Sequence, residues 1–353
     1  MQVKLEDVCD RGTSNLRQAD VEGKTGGYPI YGAAGYIGNV DFFHQEKAYV
    51  AVVKDGAGIG RTMLLPAKSS VIGTMQYLLP KDNVLPEYLC YVVKYIHLEK
   101  YFTGATIPHI YFRDYKNEKF NLDSLDRQIE IIKILGHVEK IIDKKKQELQ
   151  KLDTLIKARF VEMFCNKYPT VVLGDIISTT SGGTPSKSHP EYYEGGTIPW
   201  LTSGEVNAGV IYTVKNRITK QGMDNSSAKM IPQNSVVIAM YGATAGVTGL
   251  LKVKTTTNQA VCSLLPNERF EPEYLYYAVG LKKDWMISQC QGGGQPNISQ
   301  GIIKNMELID APKDMQMKFT MFVQQVDKSK VVVQQALEKA QLLFDSLMQK
   351  YFG

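Results

Sequence analysis

Cysteine is scarce and unpatterned in this 353-residue chain. The five present, Cys9, Cys90, Cys165, Cys262 and Cys290, are odd in number and never spaced C-x-x-C. That pattern excludes a disulfide framework and a zinc knuckle, and it fits a reducing cytoplasm. Histidine is equally sparse, five residues without metal-ligand spacing. No apolar run approaches the roughly 18 residues of a membrane span. The opening stretch, MQVKLEDVCDRG, lacks the apolar core of a secretory signal. A large excess of one charge sign is also missing, the net being +5. Residues 1–110 and 169–310 each hold 11 cationic and 11 acidic side chains. The excess falls in 111–168 (13 against 10) and 311–353 (6 against 4). A polyanionic partner would therefore be met by clustered side chains on an otherwise neutral body.

What the chain has is a repeat. LLPKDNVLPEYLCYVV at 78 returns as LLPNERFEPEYLYYAV at 264. At a shift of 186, residues 51–91 and 237–277 share 15 of 41 positions without a gap. Among them are Gly56/Gly242, Gly60/Gly246 and Pro86-Glu87-Tyr88-Leu89 against Pro272-Glu273-Tyr274-Leu275. With two residues inserted the register resumes at Pro108/Pro296, Ile110/Ile298, Asp126/Asp314, Gln128/Gln316 and Phe164/Phe352. VKLEDV at 3 likewise answers VVLGDI at 171. The chain reads as two copies of one unit, a period far beyond the roughly 20–50 residues of solenoid repeats.

Each copy opens with a β-rich body. KAYVAVVKDGAGIGRTMLL and NSVVIAMYGATAGVTGLLKV alternate short apolar runs with a glycine turn. A short helix with proline in its first turn follows, then a polar loop, TGATIPHI or GGGQPNIS. Each copy closes with a long helix. In the first, Leu125, Ile129, Ile132, Leu135, Val138, Ile142, Leu149, Leu152, Ile156, Phe160 and Met163 make an apolar stripe, with Ser124 as N-cap. In the second the stripe is Met317, Val323, Val326, Val333, Leu337, Ala340, Phe344 and Met348. About 40 residues at 1.5 Å per residue make a rod of roughly 60 Å.

The expected fold is α+β: two globular β-rich heads joined by two long antiparallel helices, a coiled-coil handle, in a pseudo-two-fold internal repeat. Its segments are 1–120, 121–168, 169–310 and 311–353. Only CNKYP separates the first helix from the second head, so the second helix is expected to return toward the first head, giving a dumbbell. Unlike heads at a fixed separation suit a linear target with two unlike half-sites, as duplex DNA offers.

These features resemble the specificity subunit of type I restriction–modification systems. The likeness rests on SGGTPSKSHPEYYEGGTIPWLTSGEV (181–206), ITKQGM, IPQNSVVIAMYGATAG (231–246) and NQAVCSLLP in the second head. In the first head it rests on YPIYGAAGYIGNVDFF and AYVAVVKDGAGIG, and in the handle on DRQIEI at 126. The resemblance implies two target-recognition domains, each gripping half of an asymmetric bipartite site in double-stranded DNA. It implies a handle that docks two methyltransferase subunits, with restriction subunits in the full complex, and no membrane. It implies no catalysis and no cofactor in this chain; S-adenosylmethionine, ATP and Mg2+ would belong to the partners.

Bases are read by arginine or lysine at guanine and by asparagine or glutamine at adenine, while phosphates take lysine, serine, threonine and backbone N–H groups. On that chemistry the candidates in the first head are Tyr28, Tyr31, Lys54, Arg61, His109 and Arg113. In the second they are Thr184, Ser186, Lys187, Thr202, Ser203, Lys215, Arg217, Tyr241, Gln295 and Asn297. Lys220 extends a basic cluster with Lys215 and Arg217. Trp200 reads equally as core or contact, and Lys144-Lys145-Lys146 as a solvated face or a backbone contact.

Other readings fail on the residues. DGAGIG at 55–60 is followed by RTMLL, a strand and not the helix of a dinucleotide fingerprint. No GxxxxGK[ST] loop and no Asn/Asp-Pro-Pro-Tyr/Phe methyltransferase motif occurs. Glu22-Gly23-Lys24 is too short a match to a nuclease site. A non-DNA adaptor with two ligand-binding heads remains the alternative, and a fused type IIB-like system would share every feature.

Overall fold

The computed structural model describes residues 1–56, 58–103, 108–290 and 296–353. Two compact units emerge, one of residues 1–147 with 334–353, the other of 148–333. Each takes one head together with parts of both long helices, a grouping at a different level from the four segments read from the sequence.

In the first unit, strands β1 (Gln2–Lys4), β2 (Cys9–Thr13), β3 (Tyr28–Gly32), β4 (Gly35–Val40), β5 (Tyr49–Val53), β6 (Thr62–Leu65), β7 (Ser70–Val71), β8 (Met75–Pro80) and β9 (Lys119–Asn121) build three sheets. Their orders are β2-β8-β5-β6, β4-β3-β7 and β1-β9. Strand β5, YVAVV, is buried on both faces, which its unbroken apolar run demands. The head helix Pro86–Ile96 starts on its proline and covers one face of the larger sheet, joining Val50, Val52 and Leu78 to Tyr88, Leu89 and Val92.

The second unit repeats this plan with β10 (Thr170–Val172), β11 (Thr179–Ser181), β12 (Ile198–Leu201), β13 (Val210–Ile211), β14 (Arg217–Ile218), β15 (Val236–Ala239), β16 (Thr248–Leu251), β17 (Thr256–Thr257), β18 (Val261–Leu264) and β19 (Glu307–Ile309). Its sheets are ordered β11-β18-β15-β16-β13, β14-β12-β17 and β10-β19. Pairing registers coincide: Val50 faces Leu78 and Leu64, while Val236 faces Leu264 and Leu250. The sequence repeat is thus a repeat of strand register. A one-residue slip would have turned every side chain to the opposite face.

Two helices of 40 residues, Leu125–Phe164 and Lys313–Phe352, follow the heads. Ser124 begins the first, its Oγ accepting from Arg127 N at 3.4 Å. Within the first unit the helices run antiparallel: Ile131 and Leu135 share a core with Met348 and Phe352, while Val138 and Ile142 pack with Leu337 and Ala340. Within the second unit, Ile156, Phe160 and Phe164 share a core with Phe319, Val323 and Val326. Asp153 pairs with Lys330 at 2.6 Å.

The stripe needs correcting where each helix begins. Leu125, Ile129 and Met317, expected inside, are 43%, 42% and 52% exposed. Gln128 and Ile131 are buried instead, next to the expected Leu135, as are Gln316 and Phe319 next to the expected Val323. The first turns face the head and not the other helix. The glutamine settles the rotation. Gln128 Oε1 accepts from Leu85 N (2.9 Å), and Nε2 donates to the carbonyls of Asn83 (3.0 Å) and Asp123 (2.9 Å). Gln316 does the same with Glu271 N (2.8 Å) and the carbonyls of Arg269 (3.1 Å) and Ala311 (2.8 Å).

Candidate nucleic-acid interface

Strand β5 ends at Val53, and the turn that follows carries Gly56, Gly58 and Gly60 at φ 84°, 92° and 80°. These left-handed values favour glycine. At Gly60 a Cβ would also lie 2.7 Å from Glu99 N, so both conformation and space require it. The turn closes with Gly60 N to Val53 O (2.9 Å) and Val53 N to Arg61 O (2.9 Å), then enters β6. Beside it runs the segment 108–110: Gly56 N donates to Pro108 O (3.0 Å) and Ile110 N to Lys54 O (2.9 Å). Ile110 is buried and anchors the crossing.

Side chains cluster on this frame. Asp55 Oδ1 accepts from His109 Nδ1 at 2.7 Å, and Lys54 Nζ lies 3.7 Å from Asp55 Oδ2. The His109 ring stacks on Tyr111, centroids 6.4 Å apart and planes 22° apart. The Arg113 guanidinium sits over the other ring, 4.8 Å from the Tyr111 centroid. Arg61 Nη1 donates to Ala33 O at 2.9 Å, pinning the glycine turn to the β3–β4 hairpin. There Tyr31 meets Tyr36 edge-on at 6.0 Å. Burial, reinforced by Tyr36, raises the Tyr31 phenol above its ordinary value. Five of the six first-head candidates (Tyr31, Lys54, Arg61, His109 and Arg113) therefore belong to one connected patch. Tyr28 stands apart at the other end of β3, its ring 4.8 Å from Phe43.

In the second head the frame recurs. Gly242 and Gly246 take φ 74° and 76°, Gly246 N donates to Ala239 O (2.8 Å), and Ala239 N to Val247 O (2.9 Å). Ile298 N donates to Met240 O at 2.8 Å, and Tyr241 bridges Asn297 where Asp55 bridges His109. Tyr241 and Asn297 are both exposed. Gln295 lies outside the described residues.

The 181–206 run folds around Trp200, which is buried against Ile218 and Ala228 and donates Nε1 to Gly183 O at 3.0 Å. That decides Trp200 for the core. Thr184 Oγ1 bonds Gln259, Ser186 Oγ lies 2.7 Å from Ser188 Oγ, and Lys187 is exposed. Thr202 Oγ1 donates to Glu205 at 3.1 Å. Glu205 also accepts from Lys215 N and Asn216 Nδ2, both 2.9 Å. Burial alone would raise its carboxyl pKa, but these bonds outweigh it and hold the group below its ordinary value. Arg217 Nη1 donates to Thr197 O (2.9 Å) and Lys220 pairs with Asp224, so the basic cluster is partly tied down. Ser203 is half-buried beside Thr202. A bond from Gln300 Nε2 to Ser181 Oγ joins this run to the segment carrying Asn297.

Sequence reasoning missed two organisers. Glu205 was visible in T-S-G-E at 202–205, the capping-box spacing. Tyr111 left no such signal, because its place between His109 and Arg113 depends on a short helix starting at Phe112. No group of three or more histidine, cysteine, aspartate or glutamate residues suited to a metal occurs among the described residues. All five cysteines are free, and burial pushes the Cys9, Cys90 and Cys262 thiols up to about 12, 11 and 12. No helix among those residues is long and apolar enough to cross a membrane.

A family model described as the type I restriction modification DNA specificity domain matches residues 1–154 and 166–341. The EcoR124I/EcoR124II type I restriction enzyme specificity subunit of Escherichia coli is 32% identical over 111 residues, 31% of this chain and 28% of that protein. The MjaIX specificity subunit of Methanocaldococcus jannaschii is 28% identical over 148 residues, 40% of this chain and 34% of its own length. The matched stretches thus span about a third of these relatives. A crystal structure of a type I restriction-modification S subunit from M. genitalium superposes with a TM-score of 0.57 at 15% identity, covering 100% of this chain and 96% of that one. A chain from a structure addressing assembly and conformational transition of the type I R-M system gives 0.58 at 15% identity, covering 99% and 97%.

Proposed function

This chain belongs to the type I restriction modification DNA specificity domain family, and on that premise we propose that it reads a bipartite, asymmetric sequence in double-stranded DNA, one half per head. The observation that carries the proposal is the pair of equivalent crossings. The backbone bonds at 53–61 and 108–110 return at 239–247 and 298, while the side chains change from the half-buried Asp55 and His109 to the exposed Tyr241 and Asn297. A constant frame with variable projections is what two readers of different half-sites require.

In this reading residues 1–120 and 169–310 are the recognition segments, and 121–168 and 311–353 the spacer. The first head uses Tyr28, Tyr31, Lys54, Arg61, His109 and Arg113. The second uses Thr184, Ser186, Lys187, Ser203, Lys215, Arg217, Tyr241, Gln295 and Asn297, with Thr202 placing Glu205. The helices carry exposed apolar residues, among them Ile129, Ile134, Ile141, Val331, Val332 and Leu342, suited to docking two methyltransferase subunits. Those partners, joined by restriction subunits in the cytoplasm, would bring S-adenosylmethionine, ATP and Mg2+ and perform the chemistry; this chain would catalyse nothing.

Binding of the chain, together with its modification subunit, to random duplex pools tests the proposal. Enrichment of one two-part sequence, with log affinity falling linearly in log salt, is expected. Absence of salt-dependent DNA affinity would favour a protein-binding adaptor.

A further inference from the structure

The segment that carries His109 is extended at Tyr111 (φ −122°, ψ 139°). The short helix Phe112–Tyr115 starts there, and its second residue, Arg113, turns back over the Tyr111 ring. His109, Tyr111 and Arg113 form a column of imidazole, phenol and guanidinium, based on Asp55. At its outer end Arg113 is 78% exposed, yet held on two sides. The Tyr111 ring supports one face of the guanidinium, and Asp114 Oδ1 lies 3.5 Å from Nε. Among the described residues the two terminal nitrogens have no partner.

An arginine that merely solvates a surface needs none of this. Here the ring orients the fork, the inner nitrogen faces the Asp114 carboxylate, and the edge that remains open is the one bearing two parallel donors. That edge matches a planar pair of acceptors, and on a duplex the pair presented in the major groove is guanine O6 and N7. In the second head the equivalent positions are Asn297, Ser299 and Gly301. Ser299 Oγ is spent on Ile302 N at 3.2 Å, and glycine offers no side chain. The column thus belongs to one head alone, as a discriminating element must.

We infer that Arg113 reads a guanine in the half-site of the first head, with Tyr111 as the residue that positions its guanidinium and the Asp55–His109 pair as the base of the column. This rests on the proposed DNA-reading role. Lysine at 113 would keep the charge and lose the fork, so R113K separates base reading from phosphate attraction.

The test uses the chain complexed with its modification subunit, selecting duplexes from a random pool for wild type, R113A, R113K, Y111A and Y111F. For wild type, one guanine is expected to be invariant in one half-site. In R113A and R113K that position alone should relax to any base, with affinity for the wild-type site down about 10- to 100-fold. Y111A should relax the same position in part and Y111F should not, since phenylalanine keeps the ring face. The half-site of the second head serves as the folding control in the same molecule. A uniform loss across all sequences with the guanine retained would make Arg113 a phosphate contact and overturn the inference. An unchanged site would overturn it too. A wild-type complex selecting no sequence would instead overturn the DNA-reading role itself.

Discussion

Gln128 and Gln316 make the same three hydrogen bonds at equivalent places, and both are buried. Each holds the residue capping its head helix and the carbonyls around it. Replacing either by leucine strands those buried groups. We expect Gln128→Leu and Gln316→Leu each to cost about 1–3 kcal/mol, read as a lowered denaturation midpoint. Glu205 is a second organiser at this scale. Its folded-state pKa lies below the ordinary value of 4.5. A depressed carboxylate contributes stability that is present above the unfolded value and is lost as pH falls through the folded one. Melting followed from pH 7 down to pH 3 should show that loss, and Glu205→Gln should lessen it. An acid limb identical in the variant would remove Glu205 from the account. Both side chains occupied recognisable sequence positions, one as a repeat identity and one as a capping box. The glutamines' partners on the heads were hidden because hydrogen bonds across 43 residues and more leave no local signal.

At the scale of elements, the strands around each glycine turn were legible because apolar runs and glycines fix both their period and their ends. The helices were legible in extent and partly misread in rotation. A three-four stripe assumes one partner along the whole rod. Here the first turns of each helix pack on a head, so the buried set shifts from Leu125 and Ile129 to Gln128 and Ile131. The distinction has a measurable consequence. Ile131→Ala should destabilise by about 2–5 kcal/mol through the cavity it leaves. Ile129→Ala should change stability by no more than about 0.5 kcal/mol. In the proposed role it would weaken capture of the modification subunit, which a pull-down reads.

For the whole molecule, the duplication was the strongest sequence signal because identities at a constant shift report shared architecture without knowledge of any contact. Its physical content is reciprocal packing. Phe352, ending the second helix, meets Tyr88 at 5.1 Å in the first unit. Phe164, ending the first helix, meets Tyr274 at 4.8 Å in the second. Both phenylalanines are fully buried. The site was legible only as a neighbourhood: the frame around 54–61 and 241–247 could be read, but the column at 109–113 required the fold. Trp200, which residue type left open between core and contact, belongs to the core of the second head.

The most direct test of the central claim is to co-express the chain with its modification subunit and sequence the DNA for methylated adenines, then repeat with residues 171–310 replaced by those of another family member. The account predicts a two-part asymmetric motif, of which one half changes on replacement and the other stays. A motif altered in both halves, or a stable complex whose methylation ignores the replaced head, would contradict the assignment of one half-site to each head.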